Sequence, residues 1–504
     1  MKIMKILSYK ILSIALILSM FNCNALEEDP KGLLAPEGFF KSAADVEAAI
    51  NGAYAEWVTT QVEKSYLLSV MLRSDMVEIG DRNTSSDRIA INDFSMDASN
   101  TLVREGWIRM FQSISAANTA IKGARAIDAS EDVKNNLEAK ARFIRGFTYF
   151  HLVRYFGPVP LILEPIDNSE ALNSFTRSSE EEVYAEIIND LKFAKEHLND
   201  TNPNSTRNIG TKGSASTVLL DVYLTLNQFE DAVKEGQEII SNASSYDFAL
   251  VANYQDLFNA NLAGSLKEPI LTIDLKNDLN SGSYNQTDGM INLTRVRDYA
   301  PRSLSVAVPS EKVYHEWDSR DYRKKVSFED SVSINGVQTS LFNTGFRVPR
   351  PHIAKYFRFP GPQEAGDDRA SDHHYSLYRY ADVLLMTAEA INESVGPTDQ
   401  ALELINLVRK RARFNGEFES TFPEDVEAGI SQTELRDIIR NERRYEFAFE
   451  FKRWFDIKRW NILESTFTSE ESLEHHEVDP SRDYYFPIPQ TEIDATNFAQ
   501  NYGY

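Results

Sequence analysis

The densest chemistry in the sequence lies between Asn441 and Trp460, NERRYEFAFEFKRWFDIKRW. Glu442 and Glu446 stand four apart, so a helix would put both carboxylates on one face, with Arg443 and Arg444 beside them. Carboxylates and guanidinium groups so arranged could serve acid–base catalysis, or they could pair as forks that fix the packing of the helix. Phe447, Phe449, Phe451, Trp454 and Phe455 crowd the same stretch and favour the second use, ion pairs locked among aromatic rings. The eight histidines include two doublets, His373-His374 and His475-His476. Adjacent side chains point apart on a helix or a strand, so neither doublet chelates a metal well, and a solvated loop is expected for both. No glycine-rich phosphate loop, GxSxG elbow, HExxH or CxxC occurs. With 76 acidic residues, carboxylates are plentiful, but spacing alone singles out no pair for glycoside hydrolysis. No catalytic residue, cofactor or metal is expected.

Cys23 is the one cysteine. Lys2, Lys5 and Lys10 precede it, followed by a short apolar run from Ile11 to Phe21. Spanning a bilayer takes about 20 apolar residues, so this run reads as the core of a signal peptide covering residues 1–22. A thiol directly after such a run is the acceptor position of a bacterial lipoprotein. Phe21 and Asn22 stand where a standard lipobox has a small residue, and an ordinary secretory signal with an incidental cysteine is the alternative. A lone cysteine forms no intrachain disulfide, so the core must hold by packing. The 504-residue chain carries a formal charge of −23, and removing residues 1–22 takes away three lysines and no acid. Such an acidic surface repels phosphate backbones, and no nucleic-acid partner is expected.

The elements that must position any site are mostly helical. Asn24 to Gly38 is acidic and proline-containing and reads as a tether. Ser42-Ala43-Ala44-Asp45 starts a helix running towards Trp57, and Trp107 to Ile127 forms another. Val133, Leu137, Ala141, Ile144, Thr148 and Leu152 keep helical spacing while Phe143, Phe147 and Phe150 line a neighbouring face, which predicts a central core helix. Gly157-Pro158 stops it. Val218-Leu219-Leu220 followed by Glu230-Asp231-Ala232-Val233 parallels Val383-Leu384-Leu385 followed by Asp399-Gln400-Ala401-Leu402. Each reads as helix, turn, helix, with the spacing of a tetratricopeptide repeat; coincidental amphipathic hairpins are the alternative. Between about 265 and 375 the texture changes. Leu271, Ile273 and Leu275 alternate like a strand, Asn335-Gly336 marks a tight hairpin, and loops dominate.

Five blocks, at 141–165, 378–393, 405–412, 435–460 and 484–504, closely resemble the signature blocks of SusD/RagB-type proteins, as does FFKSAADVEAAINGAY after the tether. The resemblance implies a mostly α fold of four tetratricopeptide-like helix pairs plus a loop-rich region with short strands. It divides the chain into a signal peptide (1–22), an acylated tether (23–38), an N-terminal helical region (39–260) and a C-terminal region (261–504). It implies a non-catalytic lipoprotein of Bacteroidetes type, on the cell-surface side of the outer membrane. Such a protein sits as a hinged lid on a SusC-like, TonB-dependent β-barrel transporter and delivers oligosaccharides, or peptides in the RagB-like branch. A surface glycoside hydrolase is the remaining alternative. Glu27, Glu28 and Asp29 resemble the signal that sends these lipoproteins to the surface.

The resemblance also sorts the aromatics. Trp107, Trp317, Trp454 and Trp460 fall at structural positions of the family, and Trp57 ends the first helix. Arg73-Ser74-Asp75 resembles a Ser-Asp turn whose acid faces ligand, and Asp81, Arg82 and Asn83 could add polar contacts. Tyr66, Tyr284, Tyr299, Phe342 and Phe346 are read as loop aromatics suited to stacking on sugar rings, with a half-buried packing role as the alternative for each. On this reading loss of Asp75 weakens binding and spares stability, and loss of Glu446 does the reverse. The Cys23→Ala change is expected to move the protein from the membrane fraction to the soluble fraction on cell fractionation. A variant that stays with the membranes refutes lipid attachment.

Overall fold

Ser42 opens the first helix as its spacing to Asp45 predicts: its backbone N–H and hydroxyl both donate to the Asp45 carboxylate, at 2.8 and 2.9 Å. In the computed structural model the described residues are 40–59, 62–166, 175–275, 288–297, 299–300, 302–361 and 371–504. The signal segment 1–22, Cys23, the tether with Glu27, Glu28 and Asp29, and Tyr284 lie outside them. Ser42–Tyr504 forms one compact unit.

Eight helices build the scaffold: α1 (Ala43–Ala55), α2 (Thr101–Ala126), α3 (Glu131–Phe156), α4 (Glu180–His197), α5 (Lys212–Thr225), α6 (Phe229–Ser241), α7 (Tyr380–Val395) and α8 (Asp399–Arg413). Each packs on the next in sequence order, from α1 against α2 through to α7 against α8. They therefore make four consecutive pairs, α1/α2, α3/α4, α5/α6 and α7/α8, and neighbours cover one another's apolar faces. The two hairpins matched in the sequence are the last two pairs, and α6 packs directly on α7 across the long insert that separates them. The central helix is α3, in which every residue from Phe143 to Phe156 is buried. Gly157 ends it at φ 72°, and a Cβ there would also lie 3.1 Å from the Tyr485 ring. No described helix is long and apolar enough to cross a membrane.

The insert carries most of the strands. Pro269–Asp274 pairs antiparallel with His374–Arg379, and Val77–Ile79 pairs with Ala307–Pro309. Ser331–Ile334 and Val337–Ser340 form the predicted hairpin, with Asn335 and Gly336 at φ 51° and 81°. The solvated-loop expectation for the histidine doublets needs correcting. His373 is buried, and His374 lies in the strand with its Nδ1 3.1 Å from Asp274. His476 packs between Phe94 and Phe467, and burial pulls its pKa down to about 4; only His475 is exposed. Among the described residues no group of histidines and acids could hold a metal ion.

After α8 come α9 (Gln432–Glu446) and α10 (Arg453–Arg459). The Arg/Glu cluster of α9 is structural. Glu446 is wholly buried and meets three guanidinium groups: Arg379 at 2.9 Å, Arg323 at 3.2 Å, and Arg411. Glu268 bridges Arg379 and Arg411 at 2.5 and 2.7 Å, and Glu450 bridges Arg379 and Lys355 at 2.8 Å each. Burial alone would raise the Glu446 pKa, but Arg411, Arg379 and Arg323 outweigh it and hold the carboxyl well below the usual range.

The Arg73–Asp75 turn is likewise part of the interior. Arg73 is buried against Phe94, its guanidinium carbon 3.7 Å from the ring centre, and bonds Asp483 at 3.1 Å. Asp75 is 2% exposed and takes both arms of Arg453, at 2.7 and 2.8 Å.

The Glu446→Ala change should cost roughly 3–5 kcal/mol in denaturant unfolding, because it removes the one carboxylate that three buried guanidinium groups share. Since the folded pKa lies below the ordinary 4.5, that contribution is complete above about pH 4.5 and fades as pH falls further. The gap between wild type and variant should narrow accordingly. Asp75→Ala should also destabilise, by roughly 3 kcal/mol, through the stranded Arg453 guanidinium. This reverses the sparing of stability expected from sequence; an unchanged unfolding midpoint would contradict it.

Candidate functional site

Three loops of the insert and its neighbours meet where Val77–Ile79 leaves its ribbon. The pairing with Ala307–Pro309 continues past the strand, since Gly80 N–H donates to the Val306 carbonyl (3.0 Å) and Asp81 N–H to that of Ser305 (2.8 Å). Asp81 is thereby fixed beside Ser305. Its carboxylate accepts from Arg297, sits 2.9 Å from Arg347 Nε, and accepts from the Asn83 N–H at 3.0 Å. Two guanidinium groups thus share one buried carboxylate, and the Arg347 side chain is partly exposed. Arg82, the next residue, is exposed and pairs with Asp93 at 2.5 Å. Asn83 is exposed beside it.

His352 locks the floor of this face. Ser305 Oγ accepts from the Arg297 N–H (2.7 Å) and lies 2.7 Å from His352 Nε2. His352 Nδ1 lies 3.0 Å from the Arg350 carbonyl, which can only accept, so Nδ1 carries the hydrogen and Nε2 accepts from the Ser305 hydroxyl. Burial holds the ring neutral, with its pKa lowered to about 4. Arg350 also pairs with Glu78 of the strand. At the edge, the Glu474 carboxyl is pushed up to about 7 by burial, opposed by Arg350 and helped by Asp75 and Asp93.

The structure divides the sequence candidates into two groups. Tyr66, Arg73 and Asp75 are in the core. Tyr66, expected from sequence as a loop aromatic, lies in the helical turn Val62–Leu67, is 1% exposed, bonds His151 Nδ1 and packs on Trp57 and Tyr155 at 5.8 and 5.1 Å. Trp57, too, is buried, donating from Nε1 to Thr148 Oγ1 at 2.9 Å. Asp81, Arg82 and Asn83 are brought together at the loop face. Tyr299 lies two residues from Arg297 and is 43% exposed. Phe346, next to Arg347, is half-buried on Val296, Val332 and Leu341. Phe342, at the start of the same loop, is exposed. Arg297 and Arg347 were missed in the sequence. The Arg-Val-Arg at 295–297 and Arg-Val-Pro-Arg at 347–350, in a chain with this acid excess, were the available signal.

A face with a fixed carboxylate, partly exposed guanidinium groups, an exposed amide and an exposed phenol ring offers donors, acceptors and an apolar surface. It can hold a hydroxyl-rich molecule.

Comparison with known proteins agrees with the fold. Residues 185–504 match the sequence model of the SusD family, and residues 26–224 match one described as starch-binding associating with outer membrane. The chain is 39% identical over 495 residues to SusD-like protein P2 of Formosa agariphila, covering 96% of this chain and 97% of that protein. A SusD homolog from Bacteroides thetaiotaomicron superposes with a TM-score of 0.81 at 21% identity, over 93% of this chain and 98% of the other. A laminarin-binding SusD-like protein superposes with a TM-score of 0.76 at 22% identity, over 92% of this chain and 100% of the other. With its eight stacked helices, its loop-rich insert and these matches across almost its whole length, the chain belongs to the SusD family.

Proposed function

We propose that this chain is a non-catalytic surface lipoprotein, anchored through Cys23 to the outer membrane. In this reading it captures oligosaccharides at the face around Asp81 and passes them to a SusC-like, TonB-dependent β-barrel transporter. The observation that carries the reading is the Asp81 cluster: one buried carboxylate sets two arginines, and Arg347 still presents part of its side chain to solvent. Vicinal hydroxyls of a sugar suit the exposed part of Arg347, because a guanidinium fork donates in one plane and the buried carboxylate holds that fork in place. Exposed Tyr299 would supply a stacking ring. Family membership and the laminarin-binding neighbour support a glycan as cargo, and the family resemblance supports the transporter partnership.

Electrophoresis of the native protein through gels containing laminarin, xylan, pectin, alginate or carrageenan tests the reading across neutral and acidic chains. Retardation in at least one is expected, without release of reducing ends on incubation. Asp81→Ala and Arg347→Ala should each weaken binding about tenfold, the scale of one charge-assisted hydrogen bond. Peptide binding in calorimetry with no retardation in any gel would move the cargo to the RagB-like alternative. Release of reducing ends would refute the non-catalytic role.

A further inference from the structure

The helices α3, α4 and α10, with the turn between α5 and α6, border a cleft of about 540 Å³ that shares no residue with the Asp81 face. Space on this scale holds a small organic molecule. Ile188 of α4, Leu226 of the turn and Phe455 of α10 give it an apolar lining. Arg154, Lys458 and Arg459 bring cationic heads to it.

Two of those cations are already answered. Arg154 pairs with Asp221 at 3.2 Å, and Arg459 pairs with Glu389 and Asp456 at 2.7 and 2.8 Å. Lys458 is the exception. Its Nζ donates to the carbonyls of Arg154 and Tyr484 at 2.7 and 2.9 Å and lies 3.6 Å from the Tyr485 ring centre. No carboxylate of the described residues stands within ion-pair distance of it, and the two carbonyls account for only two of the three ammonium hydrogens. Burial pulls its pKa down to about 7; Glu180 opposes that shift and Arg154 adds to it.

Tyr184 of α4 supplies a second donor. It lines the cleft and is 7% exposed, yet its hydroxyl meets no hydrogen-bond partner among the described residues. Burial raises its pKa, so the hydroxyl keeps its proton and can donate. The neighbouring Tyr485 differs, since its hydroxyl donates to Glu180 at 2.6 Å. A covered ammonium and a covered hydroxyl that both lack an acceptor call for one, and a carboxylate offers two oxygens. Glu180 and the exposed Glu181 also border the cleft and repel a second negative charge.

We infer that this cleft binds a small monocarboxylate with an apolar body, a free organic acid or the carboxyl end of a peptide, whose carboxylate accepts from Lys458 and Tyr184. The inference stands apart from the glycan-binding reading, because it uses neither the Asp81 face nor its chemistry.

Calorimetry on the full chain tests it with four probes: 4-phenylbutyrate, the dipeptide Gly-Phe, the dicarboxylate 2-phenylsuccinate and the cation 4-phenylbutylamine. At least one monocarboxylate should bind, and the tighter of the two tells a free acid from a peptide end. The dicarboxylate should bind more weakly than that probe, and the amine not measurably. Lys458 loses its charge above about pH 7, so affinity for 4-phenylbutyrate should be about tenfold weaker at pH 8 than at pH 6. Tyr184→Phe should weaken binding about tenfold with an unchanged melting temperature, the scale of one hydrogen bond to a charged group. Lys458→Met should weaken it at least as much and remove the pH dependence; should that variant melt early, Tyr184→Phe decides. The site is overturned if neither monocarboxylate binds the wild type, or if the amine or the dicarboxylate binds as tightly. Affinity that is flat between pH 6 and pH 8, or unchanged in Tyr184→Phe, overturns it equally.

Discussion

Glu446 and the charges around it are the constraint on which the rest of the molecule depends. Its carboxylate, with those of Glu268, Glu442, Glu450 and Asp321, is set against Arg323, Arg379, Arg411, Arg409 and Lys355. Each ion taken from water costs several kcal/mol, so the arrangement is tolerable only because every member has partners at hydrogen-bond distance. Such a network adds little net stability over a well-packed apolar core. It does penalise any packing that separates its members, and so it specifies how the surrounding elements meet.

The elements that meet there come from both sides of the long insert. Glu268 stands at the entry to the strand Pro269–Asp274, and Arg379 ends the strand His374–Arg379 while its N–H donates to Asp382 in the first turn of α7. Arg411 lies on α8 and Glu442 and Glu446 on α9, whereas Arg323 and Lys355 belong to the insert. The network therefore nails the base of the insert to the last helix pair. Its outer segments, 295–297, 302–305 and 341–350, are fixed by smaller devices: the Ser305–His352 contact, the Asp81 bridge and the ring contacts of Phe342. A rigid base with lightly held outer loops suits a binding face whose specificity lies in loop residues.

Several side chains show how burial redirects a residue that sequence suggests for ligand contact. Arg73 and Asp75 are charged and lie in a turn, which is where binding groups are often found. Their partners are Asp483 and Arg453, about 400 residues away in the chain, and each partner converts a potential contact into an interior pair. Tyr66 follows the same course, because its hydroxyl has His151 of α3 to bond. His373 and His476, which their doublets suggest as solvated, each sit against packed side chains.

By itself the sequence determined most of the helical scaffold, α4 excepted, with the central place of α3, the stop at Gly157, the hairpin at Asn335-Gly336 and the family, because all of these are written in local periodicity, turn chemistry and contiguous blocks. The structural role of Glu442 and Glu446 was legible for the same reason, as aromatic bulk crowds them in the chain. What only the tertiary structure decided was which charges find one another. Asp81 meets Arg297 and Arg347, more than 200 residues on, while Asp75 six residues earlier meets Arg453 and disappears into the core. Two acids in neighbouring turns are alike in sequence, and both are buried; the distant cation separates them, since Arg347 keeps much of its side chain in solvent while Arg453 is largely covered, and that is a property of the packed chain alone.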